Sequence, residues 1–241
     1  MTHHRYPTLA TVTMAALVGV VVVGCSGDDD GATAAFCTAR LDVQRALGGD
    51  GDPALAVAAL TEAAPEAVAD DVVKLGEIMQ QGAEDESIFL SQESRDASAA
   101  LEGAVHDDCD FTTVDIKATD YQFSAVDDSA AGPTSIRMTN DGADIHEALL
   151  FRRAEGATGT ALELITADPG RENGTLEEMG VSLPALPGEA SYIFAELPPG
   201  NYAIVCFVKQ GVTTMEQVLS DPKGTEHIAL GMGVGFEVLE D

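Results

Sequence analysis

The chain has 241 residues, and its 12 Lys and Arg against 41 Asp and Glu give a formal net charge of -29 at pH 7. Nucleic-acid binding requires clusters of basic side chains that face phosphates, but beyond the N-terminal segment the densest basic spot is the pair Arg152 and Arg153. We therefore exclude a nucleic-acid partner. The chain is 45% hydrophobic and 22% charged, which is typical of a globular protein with enough apolar material for a core.

The first predicted element is an export signal in residues 1–24. A basic start precedes an apolar run at 14–23, which is shorter than the roughly 20 residues of a bilayer-spanning helix. The run ends in the sequence VVGC at 22–25, which resembles the lipobox of bacterial lipoproteins. The resemblance implies cleavage before Cys25, a lipid on its sulfur, and anchoring at the outer, extracytoplasmic face of the cell membrane. An uncleaved anchor and a plainly secreted protein are the alternatives.

Residues 25–35 follow as a short polar segment with three consecutive Asp. The segment lacks periodic hydrophobicity, so we predict a lipidated, solvated tether between the anchor and the folded part. A calcium loop of the EF-hand type needs ligands at alternating positions and a distant Glu. The run of Asp lacks that spacing and is interpreted as a spacer.

Residues 36–110 form a predicted all-α domain, because their apolar residues recur at helical spacing. A glycine-rich break at 48–51 is followed by Asp52 and Pro53, which predict a helix cap and the first helical position. A second break falls at Gly82. This length accommodates three or four helices, whose apolar stripes we interpret as core packing.

The cysteines divide the chain further, because Cys25 is assigned to the lipid and three others remain. Cys37 opens the helical domain and Cys109 closes it, so a disulfide between them would tie its ends together in an oxidising compartment. A bridge of that size adds roughly 4 kcal/mol in the chain-entropy model. Other pairings leave an unpaired cysteine in the helical domain. Cys206 is then a buried inert thiol, an intermolecular bridge or a metal ligand.

From residue 111 to 241 the helical pattern gives way to short strand-like runs separated by Gly and Pro turns. Several short strands of this kind predict an all-β Greek-key sandwich. The predicted strands are Val114–Ala118, Tyr121–Phe123, Ser135–Met138, Ala148–Phe151, Ser191–Phe194, Asn201–Val208 and Gly235–Leu239.

Candidate metal ligands occur in this β-rich part in the order His146, Cys206, His227 and Met232. Two imidazoles and one thiolate, with a weak axial thioether, are a ligand set that suits copper. The thiolate is a soft donor that stabilises Cu(I), and neutral imidazoles bind both oxidation states. The set therefore favours one-electron exchange.

Residues 111–241 resemble the cupredoxins, in particular the cupredoxin-like domains of bacterial envelope proteins. The resemblance implies one copper, with His146 and His227 as equatorial nitrogens, Cys206 as thiolate and Met232 as axial contact. Four residues separate His227 from Met232, which is a common cupredoxin spacing. The motifs that carry the resemblance are DYQF at 120–123, NDG at 140–142 leading to HE at 146–147, LPPGNY at 197–202, CF at 206–207, GTEH at 224–227 and GM at 231–232.

The loop between Cys206 and His227 departs from the family pattern, because twenty residues intervene where the small electron-transfer members have only a few. One interpretation is an excursion that leaves both loop ends in place, since long surface insertions cost little when their ends stay close. The other is a cupredoxin fold that has lost its metal. Within the insertion, residues 213–220 predict a short amphipathic helix with a Thr cap.

The sequence contains no nucleophile elbow, zinc-protease motif or phosphate-binding loop, so we expect that the protein is not an enzyme. Two functions remain. The first is a membrane-anchored lipoprotein that binds one copper for electron transfer or copper holding and meets a redox partner. The second is a metal-free sandwich that serves as a binding or scaffold module for an envelope partner. His106, which has no evident sequence partner, is interpreted as structural.

Overall fold

The protein is described here by a computed structural model covering residues 29–82, 85–169, 174–220 and 222–240. The predicted signal peptide and the predicted lipidation site Cys25 lie outside these residues. Within the described ranges, no helix combines the length and apolar character that crossing a membrane requires.

The N-terminal part is helical, as the sequence predicts. Helix α2 begins where it was expected, because the side chain of Asp52 accepts hydrogen bonds from the amides of Ala54 and Leu55. Pro53 occupies the first turn, where its missing N–H would have had no helical partner. The elements are α1 (Asp29–Leu47), α2 (Pro53–Ala63), α3 (Ala69–Gly82) and α4 (Gln92–Asp108), with 3₁₀ turns at Glu66–Val68 and Glu86–Leu90.

Helix α1 begins earlier than the sequence analysis placed it. Residues 29–35, predicted as the end of the tether, form its first turns. The segment contains three alanines, the residue with the highest helix propensity. The helix therefore begins before the boundary that the sequence analysis set, because the absence of an apolar stripe does not prevent a helix.

The C-terminal part is a sandwich of two sheets, which confirms the predicted fold class of a helical part followed by an all-β part. Along the described chain, one sheet has the order β2-β1-β4-β7 and the other the order β3-β9-β8-β5-β6. The pairs β1 with β4 and β3 with β9 are parallel. The strands are β1 (Thr112–Thr119), β2 (Gln122–Phe123), β3 (Ser129–Ala130), β4 (Gly132–Asn140), β5 (Leu149–Arg153), β6 (Leu176–Val181), β7 (Ala190–Leu197), β8 (Gly200–Val205) and β9 (Gly233–Leu239).

The two sheets face each other across one apolar core. In β1 every second side chain points inward, which buries Val114, Ile116 and Ala118, as a strand with one covered face requires. Burying one Leu or Ile fully stabilises a fold by about 1.5–3 kcal/mol. Further members of this core are Phe123, Ile136, Met138, Leu150, Ile193, Leu197, Tyr202, Ile204 and Phe236.

Strand β7 is buried on both faces. Ile193 and Leu197 belong to the core between the sheets, whereas Tyr192 and Phe194 pack with residues of α1 and α4 in a second apolar cluster. A nearly continuous apolar run is what a strand covered on both sides needs. The helical part therefore lies against the outer face of the sandwich.

Arg40 and His106, two buried polar residues at this helix–sheet interface, each have a polar partner. Arg40 lies 3.3 Å from the carboxylate of Glu102, and its guanidinium stands 4.7 Å from the centre of the Phe194 ring. Nδ1 of His106 lies 2.7 Å from Oγ of Ser135. These contacts give His106 the structural role that the sequence analysis assigned to it.

The cysteines of the helical part form the expected bridge. Cys37 in α1 and Cys109, directly after α4, are joined by a disulfide with their Cα atoms 5.7 Å apart. Among the described residues Cys206 is the free cysteine, and it is buried. A buried sulfur does not reach a second chain, so an inert thiol and a metal ligand are the two interpretations that remain for it.

Candidate metal centre

Cys206 stands immediately after β8, where the predicted strand Asn201–Val208 ends earlier than expected. Its amide donates to the carbonyl of Met232 at 3.3 Å, and its carbonyl accepts from the amide of Ile228 at 2.8 Å. These two hydrogen bonds fix the end of β8 against the loop that precedes β9. The sulfur is thereby held at one end of the sandwich core.

His227 begins a 3₁₀ turn, His227–Leu230. Its amide donates to the carbonyl of Val208 at 2.9 Å, and its carbonyl accepts from the amide of Met232 at 2.9 Å. Gly231 ends the turn with a φ of 102°, a conformation that glycine adopts without strain. The turn therefore presents His227 and Met232 to the same interior, and both side chains are fully buried.

His146 lies in the loop between β4 and β5 and is held by an isolated β-bridge to Ala185. The buried side-chain amide of Asn140 donates to the carbonyls of both Asp144 and Ala185 at 2.9 Å. This one amide therefore ties the segment that carries the imidazole to the segment at Ala185. The sequence analysis used Asn140 only as part of a motif, and the structure gives it this supporting role.

The donor atoms of His146, Cys206 and His227 converge in the buried interior. The two Nδ1 atoms are 3.2 Å apart, and Sγ of Cys206 lies 3.4 Å from Nδ1 of His227. One ligand atom from each of the three residues lies within 4.8 Å of the others. Met232 belongs to the same apolar core as Cys206. The structure thus brings together the four residues that the sequence singled out.

Burial controls the protonation of these groups. It lowers the pKa of His227 to about 4, with the neighbouring His146 acting in the same direction, and it lowers the pKa of His146. It raises the pKa of the Cys206 thiol, while the backbone amides of Glu147 and Val208 act in the opposite direction. Both imidazoles are therefore neutral at pH 7, which is the form that binds a metal.

Two carboxylates stand behind the imidazoles, and the sequence analysis did not predict either of them. Nε2 of His146 lies 3.5 Å from Oδ1 of Asp120, and Nε2 of His227 lies 3.5 Å from Oδ2 of Asp144. Within the described residues, neither nitrogen makes any hydrogen bond. A metal-binding histidine commonly directs its other ring nitrogen at a carboxylate. Both aspartates stand where such a carboxylate would be.

Asp120 begins a tight turn that is closely packed against this site. Tyr121 has a φ of 66°, which is uncommon for a residue other than glycine. Its hydroxyl donates to Asp144 at 3.2 Å, and its ring centre lies 5.0 Å from that of His227. The turn therefore covers His227 with an aromatic ring.

The two ends of the insertion between Cys206 and His227 lie side by side. Lys209 and Glu226 form an isolated antiparallel bridge, and the amide of Gln210 donates to the carbonyl of Thr225 at 2.9 Å. The predicted short helix is present as α6 (Met215–Leu219), which follows α5 (Ala161–Ala167) in chain order and is capped by the side chain of Thr214. The structure therefore has an excursion that keeps both loop ends in place.

The donor set fits copper. If both imidazoles carry their proton on Nε2, the lone pairs of the two Nδ1 atoms face each other at 3.2 Å. The Cys206 thiol has one proton and can donate a hydrogen bond to only one of these nitrogens. A bound cation relieves that repulsion. Two imidazole nitrogens and one sulfur, with a nearby thioether, match the preferences of copper better than those of hard cations, which prefer oxygen.

No protein-family model matches the sequence, and no curated protein matches it either. Among solved structures, reduced auracyanin from the photosynthetic bacterium Roseiflexus castenholzii is 15% identical, covering 53% of this chain and 97% of that chain with a TM-score of 0.37. Auracyanin A, a "blue" copper protein from Chloroflexus aurantiacus, is 19% identical, covering 53% of this chain and 98% of that chain with a TM-score of 0.33. Reduced rusticyanin is 16% identical, covering 53% of this chain and 78% of that chain with a TM-score of 0.30.

Proposed function

We propose that the β-sandwich is a cupredoxin-type domain that binds one copper ion and carries single electrons. The observation that supports this proposal is the convergence of one ring nitrogen from each of two imidazoles and one thiol sulfur within 4.8 Å, in three residues that are fully buried. When bound, copper supplies one-electron exchange between its two common oxidation states. His146, Cys206 and His227 would hold it, and the thioether of Met232 would be the fourth, weaker donor.

The backbone around the ligands suits electron transfer, because it resists rearrangement. Cys206, His227 and Met232 are linked through their own main-chain hydrogen bonds, and His146 is tied to Ala185 across the loop. Side chains held in this way keep nearly the same positions in both oxidation states. A site of this kind stores copper equally well, so copper holding is the other use of the same ligands.

We further propose that the protein is a lipoprotein anchored through Cys25 at the outer face of the cell membrane, where it meets a redox partner. The support is the lipobox-like sequence at 22–25. A disulfide between Cys37 and Cys109 is consistent with an oxidising compartment outside the cytoplasm. The large excess of acidic residues keeps such a domain soluble beside the membrane.

An anaerobic copper titration of the chain from Ser26 onward tests the metal proposal, with visible absorption as the measurement. We expect an intense thiolate-to-copper band that saturates at about one copper per chain. The band should be absent in Cys206→Ser and His146→Ala. A flat spectrum with copper left unbound would overturn the proposal, and the sandwich would then be a metal-free scaffold module.

The anchoring proposal has its own test in cells. Fatty-acid labelling and membrane fractionation of the full-length protein should place it in the membrane fraction, and Cys25→Ser should lose the label. A membrane-bound but unlabelled wild-type protein would indicate an uncleaved anchor instead. A wild-type protein found in the medium would indicate secretion. Neither result bears on the copper site.

A further inference from the structure

We propose that Asp120 and Asp144 are positioning residues for the two imidazoles. Each carboxylate holds its histidine in the tautomer with the proton on Nε2, so that both Nδ1 lone pairs point to the metal position. Their two negative charges also favour Cu(II) over Cu(I). The preference for Cu(II) rests on the proposed copper function, whereas the choice of tautomer concerns the protein without metal.

Asp144 is a buried and firmly held carboxylate. Its side chain is 11% exposed and lies 3.5 Å from Nε2 of His227. Its Oδ2 accepts hydrogen bonds from the amide of Gly211 at 2.7 Å and from the hydroxyl of Tyr121 at 3.2 Å. Gly211 belongs to the insertion, so the insertion helps to fix the carboxylate that faces His227.

Asp120 is held just as tightly, although its side chain is more exposed. Its Oδ1 accepts from the amides of Ala143 at 2.8 Å and Asp144 at 3.2 Å, and the same oxygen lies 3.5 Å from Nε2 of His146. A methyl group at Gly142 would meet that oxygen at 2.5 Å and Nε2 of His146 at 2.7 Å. The glycine therefore leaves the room that the carboxylate and the imidazole share.

The geometry favours one tautomer over the other at both histidines. With the proton on Nδ1, the lone pair on Nε2 would face a carboxylate oxygen 3.5 Å away, and two negative regions repel. With the proton on Nε2, a polar N–H faces the carboxylate, and no other group in the described chain competes for it as a hydrogen-bond acceptor. The Nδ1 atoms of His146 and His227 are then both bare and 3.2 Å apart, and the thiol of Cys206, 3.4 Å from Nδ1 of His227, can donate its proton there.

The charge of the pair acts on a bound metal through the imidazoles. A carboxylate behind a ligand histidine makes that ligand more basic, and removing such a group typically weakens metal binding about 10–100-fold. The effect is larger for the more highly charged ion, because Coulomb attraction scales with charge. We therefore expect each aspartate to strengthen Cu(II) binding more than Cu(I) binding.

The first experiment uses the metal-free, full-length protein in detergent and needs no copper. Nitrogen-15 NMR of the histidine side chains should show protonated Nε2 and bare Nδ1 at His146 and His227. Asp144→Asn should alter the signals of His227, and Asp120→Asn those of His146. The matched control is Asp141→Asn, an exposed carboxylate of the same loop that pairs with Lys117, which should alter neither.

Protonated Nδ1 at either histidine, or signals that no aspartate variant changes, would overturn the positioning role. Asp144→Asn removes an acceptor that also serves the Gly211 amide, so this variant can misfold. Asp120→Asn then decides, because its side chain is 43% exposed. Gly142→Ala is a further check, since the added methyl should separate the Asp120 carboxylate from His146 and change the signals of that imidazole alone.

The second experiment measures Cu(II) and Cu(I) affinity by competition with chelators. Each Asn variant should lose about 10–100-fold in Cu(II) affinity and less in Cu(I) affinity, which raises the reduction potential, whereas Asp141→Asn should change neither. Equal losses for both ions would overturn the charge effect. A wild-type protein that shows the expected tautomers but takes up no copper would reject the proposed function and leave the positioning role standing.

Discussion

Two buried polar clusters lie on opposite sides of the same sheet. They differ in the group that lies opposite the Nδ1 atom of each buried histidine. At the helix–sheet interface, Nδ1 of His106 lies 2.7 Å from the Ser135 hydroxyl, a group that can donate as well as accept. In the sandwich core, Nδ1 of His146 lies 3.2 Å from Nδ1 of His227, and when both imidazoles carry their proton on Nε2 neither ring can donate a hydrogen bond to the other. Burial alone therefore does not identify a ligand histidine, whereas the atom opposite its ring nitrogen does.

The charged groups follow the same rule. Arg40 at the interface is 3.3 Å from Glu102, and the desolvation of this carboxyl, opposed by Arg40, raises the pKa of Glu102 to about 7. Each of these groups has its partner within the protein. At the metal centre the carboxylates Asp120 and Asp144 face the outer nitrogens of the two imidazoles and not the inner ones, so the inner nitrogens remain available to a metal.

Replacing one histidine from each cluster by alanine gives the largest expected effect. His227→Ala should abolish stoichiometric copper binding, because it removes one of two nitrogen donors. His106→Ala should leave the copper band intact and lower the free energy of unfolding by about 1–3 kcal/mol, because the Ser135 hydroxyl loses its partner. Copper titration and chemical denaturation of both variants measure the two effects. Loss of copper in His106→Ala would contradict the distinction between the clusters.

Removing the disulfide should affect the helical part and spare the metal centre. The Cys37–Cys109 bridge spans 72 residues of sequence, and its loss in the double variant Cys37→Ser and Cys109→Ser should cost roughly 4 kcal/mol of unfolding free energy. Urea denaturation measures that loss. The absorption band of the copper-loaded variant should remain at the wild-type position, and a displaced band would show that the two regions are more closely coupled than the contacts indicate.

Breaking the buried ion pair should have a somewhat smaller effect. Arg40→Met leaves Glu102 as an uncompensated buried carboxyl and removes the contact with Phe194, so we expect a loss of about 3 kcal/mol. The double variant Arg40→Met and Glu102→Leu should recover most of that loss, because a well-packed apolar pair replaces two buried charges. Urea denaturation of the three proteins gives the comparison. A double variant as unstable as Arg40→Met would instead assign the loss to packing against Phe194.

The smallest expected effect is a pH dependence at His106. Burial, with help from Arg137, lowers its pKa below the ordinary value of 6.5, while Asp115 and Asp107 act the other way. The unfolded chain therefore binds the proton more readily, so the contribution of His106 to stability is present above pH 6.5 and is lost as the pH falls below it. Between about pH 7.5 and about pH 5.5, wild type should lose more unfolding free energy than His106→Asn. Equal losses would contradict this assignment.

Much of this structure could be predicted from sequence patterns among neighbouring residues. The cap at Asp52, the Thr cap of α6 and the alternation in β1 are all local features, and each is present in the structure. The order of His146, Cys206 and His227 predicted a cluster because their residue types suit one metal. The gathering of these residues at one end of the sandwich is a property of the whole topology.

The parts that were missed depend on weaker or longer-range signals. Strand β6 carries exposed charges at the edge of its sheet, so its apolar alternation is faint. Helix α5 (Ala161–Ala167) is short, although its capping box of Thr160 and Glu163 was a readable signal. Asp120 and Asp144 are two acids among 41 Asp and Glu, and nothing local in the sequence shows that their carboxylates face ring nitrogens.

The two buried faces of β7 have a thermodynamic consequence. Tyr192 and Phe194 stabilise the helical layer, and Ile193 and Leu197, on the same strand, stabilise the sandwich. The strand cannot leave one layer without leaving the other, so melting of either layer exposes apolar surface of both. The helices and the sandwich should therefore unfold as one cooperative unit with a single heat-absorption peak, and copper bound within the sandwich would raise the melting temperature of the helices as well.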